Sequence, residues 1–291
     1  MRRLSISFKN GFGSKIDFED FCLFINVMLP MEMKMIRVLI EKFARKRVFK
    51  RRLPSKFKST ALYLSPDSQL KYLKFGEKAF DQELLDIAYG YVNEVSNVWD
   101  IGANVGVFAF AAASLATKGA VLAVEADIWL VELMKKSRLL RENSKLCIEI
   151  LPLAISDQCG VAKFLISSRG RAMNALKLNL RESVADDARE EALVPTLTLD
   201  SLLDFSCKPT FIKVDVEGAE AMVLRGAKKI LTEVRPIFYI EVGAEAKEEA
   251  TAVFNKNNYI LFNGADGGEL SSPISSCVFN TLAIPCEQLE R

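Results

Sequence analysis

The run VWDIGANVGVF, residues 98–108, limits what this chain can become more than any other stretch. An apolar strand ends at Asp100, turns through Gly102 and Gly106, and passes straight into an alanine-rich helix. Glycines at such places let the backbone turn tightly and let a ligand approach bare peptide groups at a helix N-terminus, where N–H groups and the helix dipole converge. A strand-turn-helix of this kind sits at the carboxyl edge of a parallel sheet and predicts a nucleotide or nucleoside site there. The dinucleotide fingerprint is GxGxxG, and here Asn104 stands where its second glycine would allow close approach to a pyrophosphate. Pyrophosphate is therefore disfavoured, and Asp100 at the strand end suits the ammonium of a methionine moiety better than it suits phosphate.

From Val95 onward short apolar runs alternate with helical segments, the signature of a parallel sheet with crossover helices. Strands are expected near 97–101, 120–125, 147–152, 210–215, 236–242, 258–262 and 277–284, with helices near 105–117, 128–142, 198–204, 218–232 and 245–257. The fold class is α/β: a Rossmann-like, seven-stranded, mostly parallel sheet with helices on both faces. The last two strands form a hairpin-like pair, as in class I methyltransferases that use S-adenosylmethionine (SAM). Upstream, apolar residues at three- and four-residue spacing predict an amphipathic helix from Met33 to Phe49 and another from Phe80 to Val92.

Residues 1–60 carry 15 Lys and Arg against 5 Asp and Glu, while residues 61–291 carry 24 against 32. That division gives a basic, partly helical N-terminal appendage, residues 1–60, ahead of an acidic main domain, residues 61–291. The acidic main body argues against a nucleic-acid groove, whereas residues 34–58 offer peripheral contact with an anionic membrane, although a solvated helix face is the preferred reading of them. The appendage is expected to be dispensable for cofactor binding. The apolar stretch Phe21–Met31 is about half the length that spans a bilayer, and no cleavage site for a secretory signal follows it. A cytoplasmic protein is expected, with translation starting at one of the crowded methionines downstream of Met1. Six scattered cysteines read as reduced, mostly buried thiols.

The chain has no histidine. This excludes Ser-His-Asp triads, Cys-His pairs and His-ligated zinc chemistry, and leaves proton transfer to carboxylate, lysine, tyrosine, cysteine or water. Glu125 closes the second strand, in AVLAVEAD, and a carboxylate there can accept both hydroxyls of a ribose. In LPLAISD, Ser156 and Asp157 are placed beside the same crevice, toward an adenine edge or as a polar turn. In FIKVDVEGAE, residues 211–220, Lys213 and Asp215 share one strand face, and Glu217 and Glu220 fall at the following helix start. Asp215 and Glu217 are the candidate bases for an acceptor hydroxyl, with Lys213 in a structural ion pair and Glu220 a helix-start carboxylate. The loop 167–180, with Arg169, Arg171 and Asn174, is the candidate acceptor loop, or a solvated one.

Taken in order, VWDIGANVG, AVEAD, LAISD, TLTLD at 196–200, FIKVDVEGAEAMVLRGA and FNTLAIP at 279–285 resemble the FkbM family of SAM-dependent methyltransferases over about residues 75–285. The resemblance implies the class I fold and methyl transfer to oxygen on sugars, polyketides or other small molecules. It carries SAM binding onto Asp100, Gly102, Asn104, Gly106 and Glu125, and the acceptor site onto Asp215 and Glu217. Ala126-Asp127 departs from the family, which commonly has proline after the glutamate. The acceptor expected is a small molecule or glycan. A non-catalytic module with the same fold, and a nicotinamide-dependent oxidoreductase, stand as the other readings. Asp215 and Glu241 end the fourth and fifth strands and are expected side by side, sharing a proton or a divalent cation such as Mg²⁺.

Overall fold

The structure, a computed structural model, describes residues 47–74, 76–167, 171, 174–176, 188–266 and 272–289. The helix expected from Met33 therefore lies mostly outside the described residues, as do Cys22 and Arg169. Where its end was expected, β1 (Phe49–Arg52) runs antiparallel to β2 (Ala61–Leu64). This hairpin straddles residue 60, where charge placed the edge of the domain. Leu53, Phe57, Leu62 and Leu64 are buried in the main core, and Asn143 bonds both backbone groups of Ala61. The folded body thus begins upstream of residue 60, because Phe57 and Leu53 have apolar surface that only this core covers. Lys50 and Arg52 pair with Glu142, and Lys56 with Asp86, so these basic groups of the 34–58 stretch are engaged within the fold. Removing residues 1–60 is expected to cost several kcal/mol, since truncating one buried Phe alone costs about 3–5 kcal/mol; a urea titration that matches the full chain would count against it.

After α1 (Gln82–Tyr91) the chain enters the central sheet with β3 (Asn97–Ile101), α2 (Val107–Leu115), β4 (Ala120–Val124), α3 (Ile128–Arg138) and β5 (Ile148–Leu151). It then leaves that sheet. β6 (Ala154–Ile155), β7 (Gly160–Ser167), β8 (Ala175–Leu176) and β9 (Ala188–Leu197) form a separate sheet of order β6-β9-β7-β8. α4 (Leu199–Leu202) leads back to β10 (Phe211–Val214), α5 (Glu220–Arg225), β11 (Ile237–Glu241), α6 (Lys247–Lys256), β12 (Tyr259–Asn263) and β13 (Asn280–Pro285).

The central sheet has the order β12-β13-β11-β10-β3-β4-β5. β13 is antiparallel to both of its neighbours and the other pairings are parallel, which is the seven-stranded class I methyltransferase arrangement. Strand alternation divides the core between the two faces. Val98, Val121 and Phe211 pack with α1, α2 and α3 on one side, while Trp99, Leu122, Ile212 and Phe238 pack with α4, α5 and α6 on the other. The crossover between β10 and β3 at the centre leaves a crevice at their carboxyl ends, where open sheets of this type bind ligands. Among the described residues no helix is long and apolar enough to cross a membrane. Cysteine burial differs from expectation: Cys147, Cys159 and Cys207 are exposed, Cys286 is half-buried and Cys277 is buried, all as free thiols.

Candidate active site

Everything at the crevice is organised by the turn after β3. Gly102 has φ +76°, and a Cβ placed on it would lie 1.8 Å from the carbonyl oxygen of Asp215, so glycine is required both by the turn and by the strand beside it. Asn104 also takes a left-handed conformation, φ 56°. Its side-chain oxygen accepts from its neighbour Val105 N–H at 2.8 Å and from the Ser68 hydroxyl, which ties the upstream loop to the turn. Gly106, expected at the cofactor, lines neither of the two clefts that flank this turn, and a Cβ there would meet Phe110 and Met134.

Two clefts open on either side of this turn and share Gly102, Asn104 and Asp215 as a common wall. The first holds about 570 Å³ of empty space, part of it open to solvent, and is lined by Leu153, Ile155, Phe164, Leu176 and Val216 together with Glu125. Glu125 is 7% exposed and holds its place through two backbone N–H donors, Asn104 to Oε2 and Asp127 to Oε1, each at 2.8 Å. Burial pushes its carboxyl up to about 7, against the pull of those two N–H groups. Each oxygen retains acceptor capacity for a hydroxyl entering the cleft.

Asp100 does not reach the crevice. Strand alternation turns it inward under α2, where it is fully buried and 3.4 Å from the Lys213 ammonium on the adjacent strand, its register partner. Lys213 in turn stands 3.3 Å from Asp215. Burial works to lower the Lys213 pKa, but the carboxylates of Asp100, Asp215 and Glu241 outweigh it and hold the ammonium charged. The proposed methionine-ammonium contact of Asp100 is thus replaced by a buried Asp100–Lys213–Asp215 array, and the structural pairing expected for Lys213 is what is seen.

Ser156 and Asp157 are also displaced from expectation. The third central strand ends at Leu151, and Ala154–Ile155 start the side sheet by pairing with β9, which carries the next residues away from the cleft. Asp157 pairs with Arg225 at 3.2 Å, and the Ser156 carbonyl packs over Gly226. The backbone before them contributes the apolar wall instead. Arg171 and Asn174 line the first cleft, but their polar groups are committed within the fold: Arg171 pairs with Asp67 at 3.1 Å and with Asp127, and Asn174 donates to Asp127 at 2.8 Å. Asp127 also caps α3 through Trp129 N–H. Its role is to clamp the side sheet over the cleft.

Glu217 stands exposed at the lip of the first cleft with φ 48°, and burial of part of its carboxyl together with Asp215 and Glu220 raises its pKa to about 7. Glu220 accepts from Gly218 N–H at 2.7 Å at the start of α5, the helix-start role expected of it. The second cleft was not foreseen as a whole. Asp215 and Glu241, expected as neighbours, both line it, and it adds Gln69, Lys71, Tyr72 and Asp81 from the segment before α1. Nothing in that segment's sequence marks it, since it has no periodicity and lies far along the chain from the strands it covers. Among the described residues no group of three His, Cys, Asp or Glu side chains is arranged to hold a metal ion, so the Mg²⁺ form of the Asp215–Glu241 pair has no support.

A family model, the methyltransferase FkbM domain, matches residues 100–264, more than half of the chain. The chain belongs to the FkbM methyltransferase family. The matched span of this FkbM chain starts at Asp100, includes Glu125 and the FIKVDVEGAE run, and leaves out β13. Solved structures similar to it include the FkbM methyltransferase from Methylobacillus flagellatus, with 15% identity over 66% of this chain and 44% of that one and a TM-score of 0.44. The SAM-dependent methyltransferase from Aquifex aeolicus aligns with 13% identity over 75% and 97% of the two chains, TM-score 0.40. A predicted O-methyltransferase from Agrobacterium tumefaciens aligns with 14% identity over 70% and 79%, TM-score 0.37. This FkbM chain thus spans less than half the length of the Methylobacillus protein. No curated protein is significantly similar to it in sequence.

Proposed function

We propose that the protein transfers the methyl group of SAM to a hydroxyl oxygen of a small molecule or glycan. The observation that carries this reading is the first cleft: a strand-end carboxylate, Glu125, fixed by two backbone N–H groups in a slot that also presents the apolar side chains Leu153, Ile155, Phe164 and Val216. That set fits an adenosyl group, with ribose hydroxyls donating to Glu125 and the adenine ring between apolar side chains. When bound, SAM would supply a methyl already activated on a sulfonium, so the protein's own part is to orient the acceptor, keep water out and receive a proton. Asp215, on the wall between the clefts and paired with Lys213 at 3.3 Å, is placed to orient the acceptor. Mass spectrometry of products formed from SAM and a metabolite extract tests the reading; no methylated product, with full binding of SAM, favours a non-catalytic module.

Glu125→Ala is expected to weaken SAM binding ten- to a hundredfold, about 1.4–2.8 kcal/mol, with the fold retained. The wild-type affinity is also expected to depend on pH. Hydroxyl donors favour the ionised carboxylate, whose free pKa is about 7, so affinity should rise about tenfold between pH 6 and pH 8 as the ionised fraction grows. Calorimetry across that range, with Glu125→Gln giving a flat profile, is the check.

A further inference from the structure

Resting on the cofactor reading above, we propose that the second cleft is the acceptor site, that Glu241 is the group that takes the acceptor's proton, and that the cleft admits neutral or amine-bearing acceptors and rejects anions. Three carboxylates line this cleft, Asp81, Asp215 and Glu241, against two ammonium groups, Lys71 and Lys213. Both ammonium groups are already committed: Lys71 to Asp81 at 3.0 Å, and Lys213 to Asp100 and Asp215. Glu241 has neither an ion pair within 4.0 Å nor a hydrogen-bond donor among the described residues, so its carboxylate is left to whatever enters. Among the described residues an anionic acceptor would meet three carboxylates and no uncommitted cation, whereas a hydroxyl or an ammonium would find a carboxylate without a protein partner.

The other candidate bases are less suited. Asp215 is held by Lys213, and Glu217 stands exposed on the lip of the opposite cleft. Glu241 ends β11, next to β10 and its Asp215, on the same sheet face as Tyr239 and Lys213. Burial and the neighbouring Asp215 raise its carboxyl to about 7, which matches a proton acceptor working near neutrality. In the transfer the new bond joins the acceptor oxygen to the methyl carbon. The carbon–sulfur bond breaks with its electron pair remaining on sulfur, and the hydroxyl proton passes to Glu241.

The test needs no knowledge of the acceptor. Sinefungin has a carbon bearing an amine in place of the donor's methylated sulfur, and S-adenosylhomocysteine has a bare thioether sulfur at that position; the two are compared by calorimetry on the full chain. The wild-type protein is expected to prefer sinefungin about tenfold or more. Glu241→Gln should lose most of that preference while binding S-adenosylhomocysteine within twofold of wild type, which also shows that the variant is folded. Glu241→Asp should keep part of it. A preference unchanged in Glu241→Gln, or one lost instead in Glu217→Gln, overturns the assignment of Glu241. If the wild-type protein binds neither compound, the cofactor reading itself fails, and this proposal with it. As a check on charge selection, a monosaccharide phosphate titrated to millimolar concentration into the S-adenosylhomocysteine complex should give no binding heat; a binding isotherm lost in the presence of excess sinefungin, whose amine occupies the acceptor cleft, would overturn the anion exclusion.

Discussion

Lys213→Met is expected to destabilise the protein by about 3–5 kcal/mol at neutral pH, the range found when one partner of a buried ion pair is removed. Lys213 is 3% exposed and Asp100 is wholly buried. Methionine fills much the same volume, so the cost arises from charge: Asp100 loses its counter-ion and must stay ionised in the interior or take up a proton. Burial already pushes the Asp100 pKa upward, with Lys213 pulling it down; without the lysine only a backbone hydrogen bond from Ala109 opposes the first effect. A carboxyl whose folded pKa lies above its unfolded value adds stability below the unfolded value, and that stability is lost as pH rises through the folded one. The variant should therefore recover toward wild type as pH is lowered to about 5 and fall away above 7. Urea titrations at the two pH values measure this, and an equal deficit at both would show that lost packing, not the buried charge, sets the cost. Asp100→Asn with Lys213 intact should be milder, since Asp215 still accompanies the ammonium.

The same residues show how much of the molecule the sequence carries. Strand ends in a parallel sheet are local features, and the positions of Gly102, Asn104, Glu125 and Asp215 at the crevice follow from the runs that contain them. Alternation alone does not say which face of a strand looks toward a ligand, and Asp100 was assigned to the crevice when the α2 face claims it. The side sheet escaped notice for a related reason. β9, AREEALVPTL, mixes charges and a proline with apolar residues, and it is recognisable as a strand mainly through its pairing with β7. Once Ala154–Ile155 join that sheet, Ser156 and Asp157 leave the crevice, and no local pattern announces the change. β1 was hidden by the helical spacing upstream of it. The second cleft needed distant segments to meet: Gln69, Tyr72 and Asp81 come from one region, Lys213 and Glu241 from strands more than a hundred residues later.

Gly102→Ala should be the most damaging single methyl group that can be added to this site. At φ +76° an L-residue is strained by about 1–2 kcal/mol even in open space. Here the new Cβ would also lie 1.8 Å from the Asp215 carbonyl oxygen and 2.8 Å from its carbonyl carbon. Neither contact is with a flexible side chain, so the β3–α2 turn or the end of β10 must shift bodily. Both clefts are built on these two residues, and a shift that relieves the clash widens one wall of each. The expected result is a loss of at least about 3 kcal/mol in stability, with SAM affinity reduced a hundredfold or more in any protein that remains folded. Gly218→Ala separates the two contributions: its φ is +95°, but no atom lies within 4 Å of the added carbon. Thermal unfolding of the two variants side by side should show the Gly218 change costing the backbone strain alone and the Gly102 change costing well beyond it. Equal melting points would mean that the close approach of Asp215 to the turn contributes nothing to either stability or site geometry.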